Sequence, residues 1–242
     1  MAYAGFFLYT GKGWLLLERK ETISDFYYNR GSYYFGGGAY NLPAAQHAFE
    51  EALAHSEGRY PFAYYQLGRI YFVQGDFSSA LIEEDAELSN YPDHYRVHYV
   101  EGLIYGYRKQ YIQAEEQFKL FIAQEPYPTW AGRNDLAWIY FSEGDYTDAA
   151  AIAKNGLDAN PAVPDIGWLQ NSYGIAEMNL GNYKLAEEYL LLAQKNFALL
   201  TPADWGVAYS GNNPDQYKNG LDQARAAIAQ NLALVHSKLH DE

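Results

Sequence analysis

Two histidine pairs have the spacing best suited to chemistry. His94 and His98 stand four apart with Glu101 three further on, and His236 and His240 form a second pair near the C-terminus. On a helix this spacing puts the members on one face, where imidazole and carboxylate can in principle grip a divalent ion. No HExxH run and no third ligand of fixed geometry accompanies them, so hydrated or interfacial histidine is the preferred reading and no metal or other cofactor is expected. Acidic runs occur at Glu83-Glu84-Asp85, Glu115-Glu116 and Glu187-Glu188. Their regular recurrence predicts a solvated convex face rather than paired catalytic carboxylates. Gly36-Gly37-Gly38 and Gly11-Lys12-Gly13 lack the Lys-Ser/Thr continuation of a phosphate loop. Serine and histidine follow no nucleophile-elbow pattern, and the absence of cysteine removes thiol nucleophiles and Cys-ligated metals. No enzyme is expected.

The elements that would position such residues follow from composition and periodicity. The chain has 242 residues, 49% hydrophobic and 19% charged, enough apolar surface to fold. Seventeen basic residues against 30 acidic ones give a formal net charge of −13, which repels a phosphate backbone and argues against nucleic acid as a partner. No uninterrupted apolar run reaches 18 residues, and the N-terminus lacks a secretory signal's basic start and cleavage site, so the chain reads as soluble. Tyrosine, at 25 copies, is the unusual residue that the architecture must explain.

A repeat of about 34 residues decides that architecture. Gly68, Tyr71, Ala80 and Pro92 recur as Gly102, Tyr105, Ala114 and Pro126, and 35 residues later as Ala137, Tyr140, Ala149 and Pro161. A further copy carries Gly174, Gly181, Tyr183 and Ala186, and an upstream one begins near Ser24 with Gly31 and Tyr34 and resumes at Ala45, Phe49 and Ala52. Each copy divides at a short turn: Gln74-Gly75-Asp76-Phe77, Lys109-Gln110-Tyr111, Glu143-Gly144-Asp145-Tyr146 and Leu180-Gly181-Asn182-Tyr183. Glycine ends one helix in the left-handed conformation and Asp or Asn starts the next, so the unit is a helix hairpin. Mid-helix glycine costs about 1 kcal/mol relative to alanine, which calls for close approach of the paired helix at Gly68, Gly102 and Gly174. Ala80, Ala114, Ala149 and Ala186 supply the facing contact, the tyrosines fill space between hairpins, and the prolines end the second helices.

These residues resemble the tetratricopeptide repeat family from Ser24 to about Leu200, with departures at Glu101, which stands where Leu67 and Leu136 stand, and at Glu177, where an aromatic is expected. The resemblance implies an all-α, right-handed α-solenoid of about five hairpins whose first helices line a concave groove. Three regions are expected: an apolar N-terminal arm over residues 1–23, the solenoid over 24–200, and a loop with an amphipathic capping helix over 201–242. The loop is placed at Pro202 to Pro214, and the helix at Asp215 to Leu239 from the spacing of Leu221, Ala224, Ile228, Leu232, Val235 and Leu239.

On the family's geometry the groove residues are Tyr28, Tyr65, Arg69, Phe72, Tyr99, Asn134, Trp138, Trp168 and Asn171. Tyr65 and Tyr99 stand where a carboxylate-clamping member of the family would carry Lys or Asn, so a clamp for a peptide terminus is not expected. Aromatic rings with polar tips suit a protein or peptide segment, although each can equally pack between hairpins. The leading expectation is a non-enzymatic scaffold that binds polypeptide in this groove. The alternative is a structural protein that assembles head to tail with copies of itself, the arm residues Phe6, Phe7, Leu8, Tyr9 and Trp14 docking on the next subunit. For the arm itself, packing on the first hairpin as an N-terminal cap is the leading reading, ahead of docking on another subunit and of the remnant of a membrane anchor on a longer precursor, which would make the chain an envelope adaptor. The composition leans weakly to a prokaryotic cell envelope or extracellular setting and leaves the cytoplasm open.

Overall fold

The computed structural model describes residues 4–10, 13–19, 22–37, 39–159, 166–208 and 214–240. Ten helices form five antiparallel hairpins: α1 (Ile23–Ser32) with α2 (Leu42–Ala54), α3 (Ala63–Gln74) with α4 (Phe77–Asn90), α5 (Arg96–Tyr107) with α6 (Tyr111–Gln124), α7 (Trp130–Glu143) with α8 (Tyr146–Ala159), and α9 (Gly167–Asn179) with α10 (Tyr183–Leu199). A π-helical turn, Tyr33–Gly37, prolongs α1. The α-solenoid expected from the repeat is therefore present. Consecutive first helices α3, α5, α7 and α9 come closer to one another than consecutive second helices do, which puts the first helices on the inside of the curve.

The turns form for the reasons their residues suggest. Gly75, Gly144 and Gly181 have φ of 80°, 78° and 82°, a conformation that costs an L-residue about 1–2 kcal/mol. Asp76 and Asp145 then accept the backbone N–H groups of Ser79 at 3.1 Å and Asp148 at 3.0 Å, capping α4 and α8. In the third hairpin Lys109 occupies the left-handed position with φ 58° and no glycine to ease it. Upstream, Thr22 and Asp25 form a reciprocal capping box on α1, and Asn41 caps α2.

The small mid-helix residues admit one side chain each from the second helix. A Cβ placed on Gly31, Gly102 or Gly174 would come within 3 Å of Phe49, Phe118 or Leu190. Ala80, Ala114, Ala149 and Ala186 are fully buried beside them. Tyrosines tie hairpins together: the Tyr71 hydroxyl accepts from Gln46 Nε2 at 3.0 Å, and the Tyr140 hydroxyl donates to Glu115 Oε1 at 2.9 Å. Both departures from the repeat are used locally. Glu177 accepts Asn182 Nδ2 at 2.7 Å across the last turn, and Glu101 faces His98 at 3.4 Å.

One acidic run departs from expectation. Asp85, Glu116 and Glu188 are exposed, but Glu84 is completely buried. It fills the space over Gly68 that Phe118 fills over Gly102, and neither of its oxygens has a hydrogen-bond partner among the described residues. The expectation of a uniformly solvated acidic face is corrected at this position.

Two further elements flank the array. Ahead of it, β1 (Ala4–Thr10) and β2 (Gly13–Arg19) pair antiparallel, with Phe6 opposite Leu17, Phe7 opposite Leu16, Leu8 opposite Leu15 and Tyr9 opposite Trp14. The arm's apolar and aromatic residue types are those favoured in strands, and the pairing closes at Thr10 opposite Gly13. After the array, Pro202–Ala208, expected as loop, forms the short helix α11, and α12 runs over Pro214–His240. Leu221, Ile228, Leu232 and Val235 of α12 bury against Ala186, Leu190, Ala193 and Phe197 of α10. Arg225 donates to the backbone carbonyls of Phe197 and Leu200 at 2.9 Å, adding to the Leu200 N–H that Phe197 already accepts at the end of α10. Gly11, Lys12, Gly38, Pro161, Gly211, Asn212 and Asn213 lie outside the described residues.

Candidate functional site: the inner helical face

Every groove residue named from the sequence lies on a first helix: Tyr28 on α1; Tyr65, Arg69 and Phe72 on α3; Tyr99 on α5; Asn134 and Trp138 on α7; Trp168 and Asn171 on α9. They form linked subsets rather than one continuous row. Gln66 Nε2 donates to the Tyr28 hydroxyl at 3.5 Å while its Oε1 accepts from Arg69 at 2.9 Å. The Arg69 guanidinium lies over the rings of Phe35, at 4.7 Å, and Tyr65, at 5.7 Å.

Further along, a polar ladder crosses three first helices. The Tyr99 hydroxyl donates to Asp135 Oδ2 at 2.6 Å, Asn134 Nδ2 donates to Asp135 Oδ1 at 3.1 Å, and Ser172 donates to Asn134 Oδ1 at 2.9 Å. Burial pushes the Asp135 carboxyl up to about 6 against the lowering effect of its hydrogen bonds from Tyr99 and Asn134. Burial, together with the neighbouring Asp135 carboxylate, holds the Tyr99 phenol well above its ordinary value. Asn171 Oδ1, one residue before Ser172, is buried and has no donor among the described residues.

The large rings divide between packing and exposure. Trp138 is 38% exposed and lies 5.7 Å from Tyr107, itself 58% exposed and in contact with Phe72. Trp168 is sandwiched between Trp130, at 4.7 Å, and Trp205, at 5.7 Å, so its faces are committed to packing between elements. Tyr28 packs on Phe49 and Tyr60. The sequence reading missed Gln66, Tyr107, Asp135 and Ser172. A usable signal was present in the 36- to 38-residue separations of the pairs Tyr28 and Gln66, Tyr99 and Asp135, and Asn134 and Ser172, since one repeat length joins equivalent helices.

Of the histidine positions, only His94 falls off the helical face that the spacing offered; His98 and Glu101 share α5, and His236 and His240 share α12. His94 precedes α5 and turns back to Glu87 of α4, its Nδ1 3.0 Å from Glu87 Oε1, whereas His98 lies on α5 and faces Gln117 at 2.8 Å. His236 pairs with Glu187 on α10 at 2.9 Å. Among the described residues no cluster of three His, Asp or Glu side chains is arranged to hold a metal ion. Arm residues Phe6, Phe7, Leu8, Tyr9 and Trp14 fall on β1 and β2.

Stacked helix hairpins with a repeat of about 34 residues define a helical-repeat solenoid. The Tetratricopeptide repeat family model matches residues 28–95, 99–164 and 134–200, and the chain belongs to that family. A search of curated proteins finds no match. Among solved structures, MamA from Desulfovibrio magneticus RS-1 is similar over 72% of this chain and 94% of its own, at 20% identity and a TM-score of 0.59. PilF of Pseudomonas aeruginosa aligns over 90% of each chain at 15% identity and a TM-score of 0.64. PilW, described as a widely conserved type IV pilus biogenesis factor, aligns over 89% of this chain and 99% of its own at 21% identity and a TM-score of 0.63. At these identities the likeness is one of fold. Proteins of this family typically act as non-catalytic scaffolds, and protein interaction is the activity class to which the chain is assigned.

Proposed function

We propose that the chain is a scaffold that holds an extended or helical polypeptide segment along the inner faces of α3, α5, α7 and α9. The carrying observation is the Tyr99, Asp135, Asn134 and Ser172 ladder beside the half-exposed Trp138, with the buried acceptor Asn171 Oδ1 next in line. Backbone N–H groups of a bound segment are suitable donors for such an acceptor, and exposed rings bury much area at small entropic cost. Tyr65 and Tyr99 stand where a carboxylate clamp would need Lys or Asn, which favours an internal segment over a chain terminus.

The test is a displayed library of random peptides selected on the full chain, followed by titration of the selected peptides. Trp138→Ala on the inner helix should weaken binding about tenfold, the order expected for a large interface ring. Ile112→Ala, on the second helix α6 where Ile112 is exposed, should leave it unchanged. Equal effects of the two variants, or loss only with Ile112→Ala, would remove the groove from the account.

Self-assembly is a second reading, favoured by the β1–β2 ribbon. A two-stranded sheet is marginal alone, and as paired here it presents two strand edges able to accept a further strand. Deleting residues 1–17 should then abolish concentration-dependent growth in particle size while helical content persists; an unchanged size distribution would exclude the arm. An envelope adaptor tethered through a longer precursor is a further form of the scaffold reading. Among the described residues no helix is long and apolar enough to cross a membrane.

A further inference from the structure

A pocket of about 410 Å³ lies where the loop before α3 meets the loop before α5. Four rings line it, Phe62, Tyr91, His94 and Tyr95, and the charged residues on its lining, Glu87 and Asp93, are both acidic. The volume falls within the range of small-ligand sites.

Its walls are held by one carboxylate. Glu87 is fully buried; its Oε1 accepts the Phe62 N–H at 3.0 Å and lies 3.0 Å from His94 Nδ1, and its Oε2 accepts the Tyr65 N–H at 3.3 Å. These bonds fix Phe62 at φ 67°, a left-handed conformation unfavourable for a bulky residue, while leaving its ring 47% exposed. They also fix the His94 ring, edge-on to Phe62 at 4.6 Å and to Tyr65 at 4.7 Å. With its Nδ1 proton directed at Glu87, a neutral His94 offers the Nε2 lone pair, and that buried atom has no donor among the described residues. A buried acceptor without a partner costs about 1–3 kcal/mol, so an incoming N–H donor is favoured.

We propose that this pocket receives the guanidinium of an arginine side chain from a protein partner, with His94 Nε2 accepting one N–H. Rings on the walls, acidic groups on the lining and a neutral acceptor all suit a cation that carries donors. Guanidinium is more weakly hydrated than ammonium and stacks on aromatic faces, which selects arginine over lysine. The Tyr95 ring is already engaged by Phe121 and by the chain's own Arg96 guanidinium, 5.9 Å from its centroid, so Phe62 and Tyr91 are the rings left for the incoming group. The inference is independent of groove binding, because none of the pocket's lining residues belongs to the inner-face set.

The test uses the full chain labelled with ¹⁵N-histidine at pH 8, titrated with N-acetylarginine amide, its neutral isostere N-acetylcitrulline amide, and N-acetyltryptophan amide. Saturable arginine binding about tenfold tighter than citrulline, with movement of the His94 Nε2 resonance, is the expected result. Phe62→Ala should reduce arginine binding to the citrulline level while the helical circular dichroism is retained. Equal affinity for arginine and citrulline, tighter binding of the tryptophan amide, an unmoved Nε2 resonance or no saturable binding at millimolar concentration would each overturn the proposal.

Discussion

Glu84 is where this chain departs most sharply from its own repeat. An acid sits over Gly68, in a position given to Phe49, Phe118, Ala153 and Leu190 in the other hairpins, and its carboxyl has no hydrogen-bond partner among the described residues. Burial holds it well above the ordinary carboxylate range; Glu101, Glu87 and Glu83 push the same way and Arg69 opposes them. Glu84→Leu should therefore stabilise the chain at neutral pH by about 2 kcal/mol, the order of the cost of a buried polar group without a hydrogen-bond partner. The unfolded carboxyl ionises near 4.5 while the folded one keeps its proton, so the stability gap between variant and parent should widen as pH rises above that value. Thermal melts at pH 4 and pH 8 check this; a constant gap would mean that the carboxyl is satisfied. Asp135 behaves similarly in a narrower window. Its carboxyl rises from 3.8 to about 6 on folding, so its contribution to stability falls between pH 4 and 6 and is flat above. Relative to Asp135→Asn, the parent should lose stability across that interval alone, whatever the offset between them, as read from denaturant midpoints.

At the scale of elements, the turns were the most legible part of the sequence. Gly-Asp and Gly-Asn at a fixed interval name a left-handed stop followed by a cap; both features are present at Gly75-Asp76 and Gly144-Asp145, whereas at Gly181-Asn182 the stop is present and the Asn182 side chain turns to Glu177 instead of capping α10. Lys109 was visible as the one turn without glycine, and it pays in backbone conformation. Lys109→Gly should raise stability by about 1 kcal/mol, measured by chemical denaturation, whereas Gly144→Ala should lower it by a similar amount. If neither moves the midpoint, the turns do not limit stability. Glu84 was misread because runs of acids were compared by composition instead of register. Aligned on the buried alanines, Glu84 falls four residues after Ala80, as Phe118 does after Ala114 and Leu190 after Ala186, whereas Glu115 and Glu116 fall one and two after Ala114. The N-terminal hairpin escaped for a different reason: continuous apolar runs lack the alternation that marks a half-buried strand, so period alone could not separate strand from arm. The inner-face ladder was legible only in part, since hydrogen bonds such as that between Tyr99 and Asp135 depend on how neighbouring repeats are rotated, which one repeat does not specify.

For the whole molecule, five hairpins that cannot bury their apolar faces singly stack into one curved array, and α12 buries the apolar side of α10 at its C-terminal end. The seams are bridged by the hydroxyls of Tyr71 and Tyr140 and by the stack of Trp130, Trp168 and Trp205. What remains on the inside is a mixed surface of exposed rings and an ordered polar ladder, which under the proposed scaffold function meets a polypeptide bringing both apolar side chains and backbone donors. Hydrogen exchange of the full chain with and without a library-selected peptide tests that claim most directly. The account predicts added protection on α3, α5, α7 and α9, with α4, α6 and α8 unchanged. Protection confined to the second helices or to β1 and β2 would contradict it.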